Sequence, residues 1–257
     1  MTEVSNVLAL GVDVGSTTWK GVAIDSAGNI VAQHVEPTEA RIEVQTERAL
    51  DSLREACGAG EDAALGATGY GRKRVPGASR VLTEITCHAR GAFHLIHRPG
   101  VLIDFGGQDT KIIRFGDGGE VQDFAMNDKC AAGTGRFLEV ILGRLEVPLD
   151  EAPELVANAH RAVAISSTCT VFAESEVISL VAQGEPVPEI IMGLHAALAS
   201  RVAALAGRLH DGEMVFMSGG VALNRAMADA LVVALRRPIE VLPDPQLVGA
   251  LGAALAV

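Results

Sequence analysis

Short apolar runs alternate with polar turns through the first hundred residues. The short runs have the length of strands, and longer stretches place apolar residues at helical spacing among charges. The pattern predicts strands over residues 7–14, 19–24, 30–34 and 63–67, a surface helix over 41–57 ending at Gly58, and a helix over 83–93. The first half is therefore predicted to be an α/β unit that closes near Gly100.

The second half opens with the same arrangement as the first. A strand, a glycine-bearing turn and a second strand occupy residues 101–115, and a further turn follows over 116–119. The corresponding pairs are Asp13 with Asp104, Gly15 with Gly106, Lys20 with Lys111, and Gly28 with Gly119. Such a match predicts an internal duplication, and a chance likeness of two hairpins is the alternative.

Each hairpin carries groups that can bind phosphate. A glycine-bearing turn exposes consecutive backbone N–H groups, and neighbouring hydroxyls add further donors. The predicted phosphate-binding residues are Gly15, Ser16, Thr17, Thr18 and Lys20 in the first hairpin, and Gly106, Gly107, Gln108 and Asp109 in the second. Beside the phosphates, Asp13 and Asp104 would be tolerable together if a magnesium ion binds there. Taken alone, either hairpin would be interpreted as an ordinary β-turn. The presence of two matching hairpins favours phosphate binding instead.

A third glycine signal lies late in the chain. A strand predicted over 214–217 runs into Ser218, Gly219, Gly220 and Val221, and a helix is predicted over 225–235. A strand, a double glycine and a helix N-terminus let a flat ligand lie against the backbone. The small apolar residues over 246–257 predict a closing helix.

Two of the four cysteines lie in an environment that suits a thiolate. Apolar residues recur at helical spacing from Arg136 onward, which predicts that Cys130 lies just outside or within the first turn of a helix. Cys169, in Thr168-Cys169-Thr170, also precedes a helical pattern. Amide groups and the helix dipole stabilise a thiolate at such positions. Packing is the alternative for both, and it is the preferred interpretation of Cys57 and Cys87.

Charge and hydropathy exclude several classes of partner. The chain has 257 residues and a formal net charge of −11, with no basic patch for nucleic acid or an anionic membrane. The most apolar stretch is interrupted by His195, Arg201 and Arg208, which predicts no membrane span. Residues 1–6 lack the basic start of a secretory signal. We therefore expect a cytoplasmic protein with reduced cysteines.

The three glycine motifs together resemble those of the acetate and sugar kinase, Hsp70 and actin superfamily. Residues 12–20 match its first phosphate motif, 103–111 its second and 217–224 its adenosine motif. The resemblance implies an α/β fold of two duplicated actin-like (ribonuclease H-like) lobes with an interlobe nucleotide cleft. It implies a first lobe of residues 1–97 plus 246–257 and a second lobe of residues 98–245. ATP or ADP with Mg²⁺ is the implied ligand, and Ser218 to Val221 would line the adenosine.

Three segments, residues 104–109, 129–138 and 166–177, look like the activator ATPases of 2-hydroxyacyl-CoA dehydratases. That resemblance implies a homodimer in which Cys130 and Cys169 of each chain hold one [4Fe–4S] cluster, since a cluster takes four thiolates. It also implies a dehydratase as partner, and we expect a reduced ferredoxin or flavodoxin as electron donor. Asp13 and Asp104 would organise magnesium and water, and Gln108 is the candidate for orienting the attacking water.

Other functions stay open on sequence grounds. The same family includes the ATPase subunits of benzoyl-CoA reductase, so an aromatic acyl-CoA reductase is an alternative partner. A small-molecule kinase of the superfamily would keep the three glycine motifs but give Cys130 and Cys169 no role. An actin-like or chaperone-like module would hydrolyse ATP without any acceptor. The absence of a long insertion argues against the last two.

Overall fold

The computed structural model describes residues 7–166, 169–207 and 213–257. The segment 1–6, which was predicted to lack a secretory signal, lies outside the described residues, and so do Thr168 beside Cys169 and Arg208. The described chain has the predicted α/β class, and its strands form two five-stranded sheets.

Strands and helices follow one another in two similar series. The strands are β1 (Val7–Val14), β2 (Thr18–Asp25), β3 (Ile30–Pro37), β4 (Ala64–Thr68), β5 (Arg80–Val81), β6 (Gly100–Phe105), β7 (Thr110–Phe115), β8 (Val121–Asn127), β9 (Val215–Ser218) and β10 (Ile239–Val241). The helices are α1 (Ile42–Cys57), α2 (Glu84–Ile96), α3 (Gly135–Arg144), α4 (Ala152–Ala157), α5 (Thr170–Ala182), α6 (Val187–Leu205), α7 (Arg225–Leu235) and α8 (Val248–Ala254). Short 3₁₀ turns cover Arg72–Arg74, Ala131–Gly133 and Gly220–Leu223.

The two sheets have the same strand order. The first runs β3-β2-β1-β4-β5, and the second runs β8-β7-β6-β9-β10. In the first sheet β1 pairs antiparallel with β2 and parallel with β4. Each sheet thus has an opening hairpin, a third strand at one edge, and two later strands on the other side of the hairpin. The duplication inferred from two hairpins therefore extends to the whole of both sheets.

The central strand β1 is covered on both faces. Leu10, Val12 and Val14 pack in one apolar cluster with α1, whose contributions include Leu50 and Leu53. On the other face the strand's Ala9 packs with residues of α8. A strand buried on two faces reads as an unbroken apolar run, which is why the sequence predicted its bounds correctly.

Helix α8 lies very close to the first sheet because small residues line its contact. A Cβ on Gly11 of β1 would overlap the main chain of α8 at Ala250, and a Cβ on Gly66 of β4 would overlap Ala253. The helix also packs against α2, where its Gly252 faces the carbonyl of Cys87. The predicted closing helix is thus real, although it covers fewer residues than the predicted range 246–257.

The described residues cluster into two compact units. The first comprises the described part of Met1–Leu102 with Ile113–Phe124 and Leu242–Val257, and the second comprises the described part of Ile103–Ile112 with Ala125–Val241. The lobe boundaries at residues 97, 98, 245 and 246 stay a prediction.

Strand β8 was missed by the sequence interpretation. It forms the edge of the second sheet, and Gln122, Asp123 and Phe124 are all exposed. Neither face of such a strand gives a clean alternation of apolar and polar residues, so hydrophobic periodicity does not detect it.

Helix α6 is long and apolar enough to cross a membrane by length and composition alone. His195 and Arg201, which were expected to interrupt the apolar stretch, both lie within this helix. Buried residues of the helix, including Ile190, Leu194 and Leu198, pack within the second unit against neighbours such as α7. Core helices of water-soluble proteins pass the same test, so α6 is weak evidence for a membrane span.

Candidate functional site

The first hairpin, β1–β2, holds an aspartate and a lysine at one end. Asp13 and Lys20 are register partners across the antiparallel pair, and the lysine Nζ lies 3.3 Å from Oδ2 of the aspartate. Asp13 is only 5 % exposed. The Gly15 N–H donates to the Thr18 carbonyl at 3.0 Å, which closes the turn between the strands. The fixed spacing of Asp13 and Lys20 therefore produces an ion pair at the mouth of the turn.

The rest of this turn is held by the residue that follows β3. Thr38 donates its hydroxyl to the Gly15 carbonyl at 2.8 Å and its N–H to the Thr17 carbonyl at 2.9 Å. The side chains of Ser16 and Thr17 remain half-buried at the surface of the turn. The predicted phosphate-binding residues of the first hairpin are thus brought together around one braced turn.

The second hairpin, β6–β7, repeats the ion pair in a more buried form. Lys111 Nζ lies 3.1 Å from Oδ2 of Asp104 and 2.8 Å from Oδ1 of Asp109. The side chains of Lys111 and Asp104 are each 3 % exposed. The Gly106 N–H donates to the Asp109 carbonyl at 2.9 Å, as Gly15 does to Thr18 in the first hairpin. Gln108, the candidate for orienting water, is exposed at this turn.

The third glycine motif lies beside the second hairpin. Ser218, the last residue of β9, donates its hydroxyl to Oδ1 of Asp104 at 3.1 Å. Gly219 has φ of +88°, and a Cβ there would overlap the main chain of Phe105. Gly220 opens a 3₁₀ turn, and Val221 in that turn contacts the position where a Cβ on Gly135 would lie. Within the second unit, the structure thus brings the second and third predicted motifs together.

The structure shows a further pair of corresponding positions that the sequence comparison missed. Thr68 ends β4, the neighbour of β1, just as Ser218 ends β9, the neighbour of β6. Gly69 follows with φ of +93° and approaches the main chain of Val14, as Gly219 approaches Phe105. A hydroxyl residue followed by a glycine is too short a pattern for a sequence match, and the strand order reveals the pair.

Two cysteines are exposed and two are buried. Cys130 and Cys169 are exposed, whereas Cys57 and Cys87 are buried. Burial raises the pKa of the Cys87 thiol to about 11, against a Thr68 hydrogen bond that lowers it. Packing is therefore confirmed for Cys57 and Cys87, as the sequence interpretation preferred.

The surroundings of the exposed cysteines are partly as predicted. Cys169 is the N-cap residue of α5, and its carbonyl accepts from the Ala173 N–H at 2.8 Å. Cys130 instead precedes the 3₁₀ turn Ala131–Gly133, and α3 begins only at Gly135. Cys130 thus lies just outside a helical segment, as predicted, but that segment is a 3₁₀ turn that precedes α3. The side chain of Asn127 accepts from the Cys130 N–H and donates to its carbonyl, so this loop has its own local order.

The segment that carries Cys130 is hydrogen-bonded to the second hairpin. The Gly135 N–H donates to the Gly106 carbonyl at 2.9 Å, and the Arg136 N–H donates to the Gly107 carbonyl at 2.8 Å. The Thr110 hydroxyl donates to the Gly133 carbonyl at 2.7 Å. A displacement of the predicted phosphate turn would therefore act directly on the residues that follow Cys130.

Arg201 of α6 supports the same segment. Its guanidinium donates to the Ala132 carbonyl at 3.0 Å and lies 5.1 Å from the centre of the Phe137 ring. Burial lowers the pKa of Arg201, and the charge of Cys130 raises it. Sequence reasoning noted Arg201 only as a break in an apolar stretch, since nothing in the sequence indicates this long-range contact.

The model of the BadF/BadG/BcrA/BcrD ATPase family matches residues 10–257. The chain belongs to this family. As a BadF/BadG/BcrA/BcrD-type ATPase it has the actin-like fold that the glycine motifs predicted, and the predicted family and fold class are confirmed.

Relatives of this ATPase cover nearly its whole length. It is 46 % identical over 253 residues to the "Activator of lactoyl-CoA dehydratase" of Anaerotignum propionicum, covering 96 % of this chain and 95 % of that one. It is 43 % identical over 252 residues to the "(R)-2-hydroxyglutaryl-CoA dehydratase activating ATPase" of Acidaminococcus fermentans, covering 97 % and 96 %. The solved structure of the activator of the 2-hydroxyisocaproyl-CoA dehydratase from Clostridium difficile with bound ADPNP shares 40 % identity at a TM-score of 0.90, covering 96 % and 93 %.

Proposed function

We propose that this ATPase is the reductive activator of a 2-hydroxyacyl-CoA dehydratase, in which ATP hydrolysis drives one-electron transfer from a [4Fe–4S] cluster held between two copies of the chain. The observation that carries the proposal is the hydrogen bonding between the second phosphate turn and the segment that follows exposed Cys130. The relatives named above, all described as dehydratase activators, support the choice of partner.

The nucleotide would be bound by the residues of the three motifs. Backbone amides of Gly15 to Thr18 and of Gly106 to Asp109 hold phosphate oxygens, and Ser218, Gly219, Gly220 and Val221 line the adenosine. Lys20 and Lys111 lie close to the phosphates and keep the two aspartates in place. Asp13 and Asp104 hold Mg²⁺ through water, and exposed Gln108 orients the attacking water. The ADPNP-bound relative supports a nucleoside triphosphate as ligand.

The exposed thiols fit an iron–sulfur cluster that is shared between chains. Cys130 and Cys169 are both exposed and both stand at the start of a helical segment, where a thiolate is stabilised. Among residues 7–166, 169–207 and 213–257, no group of three or more potential metal ligands comes together. A four-thiolate cluster would therefore need Cys130 and Cys169 from each of two chains. When bound, the cluster supplies one-electron chemistry.

An exposed apolar surface next to Cys169 supports the homodimer. Val171 and Phe172 follow the cysteine in the first turn of α5 and are 67 % and 69 % exposed, and Ile178 and Val181 are exposed on the same helix. Adjacent apolar side chains of this size at a surface are typical of a protein interface.

The activator would act through a difference in how its two conformations bind ATP and ADP. A γ-phosphate held by the second turn but absent from ADP can shift the Gly106 and Gly107 carbonyls, to which α3 is hydrogen-bonded. The Cys130 segment, residues 128–134, then moves with α3. We further propose that the protein works in the cytoplasm with a reduced ferredoxin or flavodoxin as electron donor. The relatives favour a dehydratase over a benzoyl-CoA reductase-type partner, and the exposed cysteine pair favours both over a kinase.

Iron content tests the proposal directly. Anaerobically purified protein should be brown and contain about four irons per two chains, because four thiolates hold one cluster. Cys130→Ser or Cys169→Ser should lose the iron and the visible absorption. Cys57→Ser and Cys87→Ser are the matched controls, and both should keep them. Colour retained in Cys130→Ser and in Cys169→Ser would contradict the cluster assignment.

A further inference from the structure

The two site aspartates differ in the groups that orient them. In the second hairpin, Asp104 accepts from the hydroxyl of Ser218 at the end of the neighbouring strand. Thr68 occupies the corresponding position beside Asp13, and the two are register partners across β1 and β4. However, the Thr68 hydroxyl donates to the Leu82 carbonyl at 3.2 Å. The hydroxyl that corresponds to Ser218 is thus directed elsewhere in the first hairpin.

A histidine from α2 lies near the Asp13 carboxylate instead. A Cβ built on Gly249 of α8 would lie 2.7 Å from Nε2 of His88 and 3.0 Å from Oδ2 of Asp13. Both polar atoms therefore lie within 3.0 Å of one point, in space that only a glycine leaves open. His88 and Asp13 are each 5 % exposed, so both side chains lie in a largely dry environment.

We propose that His88 is a positioning residue for ATP hydrolysis, whose Nε2–H orients the Asp13 carboxylate directly or through one water as Ser218 orients Asp104. The inference rests on the proposed role of Asp13 in organising magnesium and water. The Lys20 ammonium approaches Oδ2 from the other strand of the hairpin, so His88 and Lys20 together restrict the carboxylate to one rotamer. Gly249 is required because any side chain would separate the imidazole from the carboxylate.

The other buried histidine of the described chain provides a contrast. His195 on α6 is 1 % exposed, its Nδ1 lies 2.8 Å from the Ile191 carbonyl, and its Nε2 lies 2.9 Å from Nδ2 of Asn224. One ring nitrogen thus contacts a carbonyl of its own helix, and the other contacts the N-cap residue of α7. Burial lowers the pKa of the ring. His195 is a structural histidine, whereas the ring of His88 faces a carboxylate of the proposed site.

The test compares His88→Leu, which removes the ring nitrogen, with His88→Gln, which keeps an N–H donor at similar reach. We expect His88→Leu to lower kcat for ATP hydrolysis about tenfold and to raise the half-saturating Mg²⁺ concentration about fivefold, with KM for ATP changed less than about twofold. His88→Gln should return kcat to within about threefold of the wild type. His195→Gln is the control and should lower Tm without changing the Mg²⁺ dependence.

Gly249→Ala tests the same contact without altering either polar residue. Its methyl group would push His88 away from Asp13 and should reproduce the loss of kcat and the weaker Mg²⁺ dependence, even if His88→Leu does not fold. Wild-type kcat and Mg²⁺ dependence in folded Gly249→Ala or His88→Leu, with Asp13→Asn inactive, would overturn the role of His88 alone. A wild type without Mg²⁺-dependent ATP hydrolysis would overturn the proposed nucleotide site, and this inference with it.

Discussion

The first and second hairpins share a geometry but differ in what they are attached to. Both pair an aspartate with a lysine, and both close the turn through a glycine N–H. The Gly15 carbonyl of the first turn accepts from Thr38, whereas the corresponding Gly106 carbonyl of the second accepts from the first residue of α3. The same acceptor is thus used for a local brace in one copy and for a link to the cysteine segment in the other.

The comparison shows how a duplicated element can acquire a second function. Thr38 directly follows β3, and the Cys130 segment directly follows β8, the corresponding edge strand of the second sheet. Residues 128–134 therefore stand where the first unit has a short connection. In the second copy, residues between the aspartate and the lysine are hydrogen-bonded to a segment that carries an exposed thiol and to the helix that follows it.

Loss of either lysine should destabilise the folded protein, and by more in the second hairpin than in the first. Lys111→Met should lower the free energy of unfolding by about 3 kcal/mol, because it leaves Asp104 buried without its cation. Lys20→Met should cost about 1 kcal/mol, since Lys20 is more exposed and has one carboxylate partner. Urea denaturation of both variants measures the difference. Equal losses would show that the two copies are held in the same way.

The second prediction asks whether both aspartates serve hydrolysis. Asp13→Asn and Asp104→Asn should each reduce ATP hydrolysis about a hundredfold, because each removes a charge that magnesium and the attacking water need. Phosphate release gives the rate, and iron content should be unchanged in both. Wild-type turnover in one of the two variants would restrict the catalytic role to the other hairpin.

A third comparison concerns the residues four positions after each aspartate. These are Thr17 and Gln108, and the second is proposed to orient water. Gln108→Ala should lower kcat about tenfold, and Thr17→Ala less than about threefold, because the Thr17 turn is fixed through its carbonyl by Thr38. The reverse order of the two effects would assign the water to the first hairpin.

The weakest of these effects concerns how the bound nucleotide changes the rate at which a chelator removes the cluster. In the wild type, an iron chelator should remove the cluster faster with a non-hydrolysable ATP analogue than with ADP. Thr110→Val removes the hydroxyl that donates to Gly133 and should shrink that ratio of rates about threefold. Thr38→Val, which removes the corresponding brace of the first hairpin, is the control and should leave the ratio unchanged.

Chelation rates measured anaerobically at saturating nucleotide decide between the alternatives. Equal rates with ATP analogue and ADP in the wild type would leave two unconnected sites in one chain. A ratio that falls in Thr38→Val but not in Thr110→Val would place the connection in the first hairpin.

Much of this arrangement could be predicted from the sequence, because it depends on local spacing. The seven-residue separation of Asp13 from Lys20, repeated at Asp104 and Lys111, predicts the paired hairpins, and the ion pairs follow from the strand register. Helix α7 has the predicted bounds because Asn224 caps it with its side chain. Each of these features is set by residues close together in the chain.

The remainder depends on contacts between residues that are distant in sequence. His88 was not among the candidate site residues, since nothing near it in the chain shows that it lies beside Asp13 and Gly249. The position of Cys130 before a 3₁₀ turn, rather than at α3, depends on hydrogen bonds from α3 to the second hairpin. Periodicity cannot predict such contacts because they are decided by the packing of separate elements.

Helix α8 packs closely on the first sheet, and this affects how the chain folds during synthesis on the ribosome. Strand β1 emerges early, yet one of its faces is covered by a helix that is translated near the end of the described chain. Until α8 is available, Ala9, Val22 and Ile24 lack their apolar cover, and the sheet carries a site for non-native association. We expect nascent chains of this protein to complete the second unit first, and the first unit to become protease-resistant only after residue 254 has left the exit tunnel.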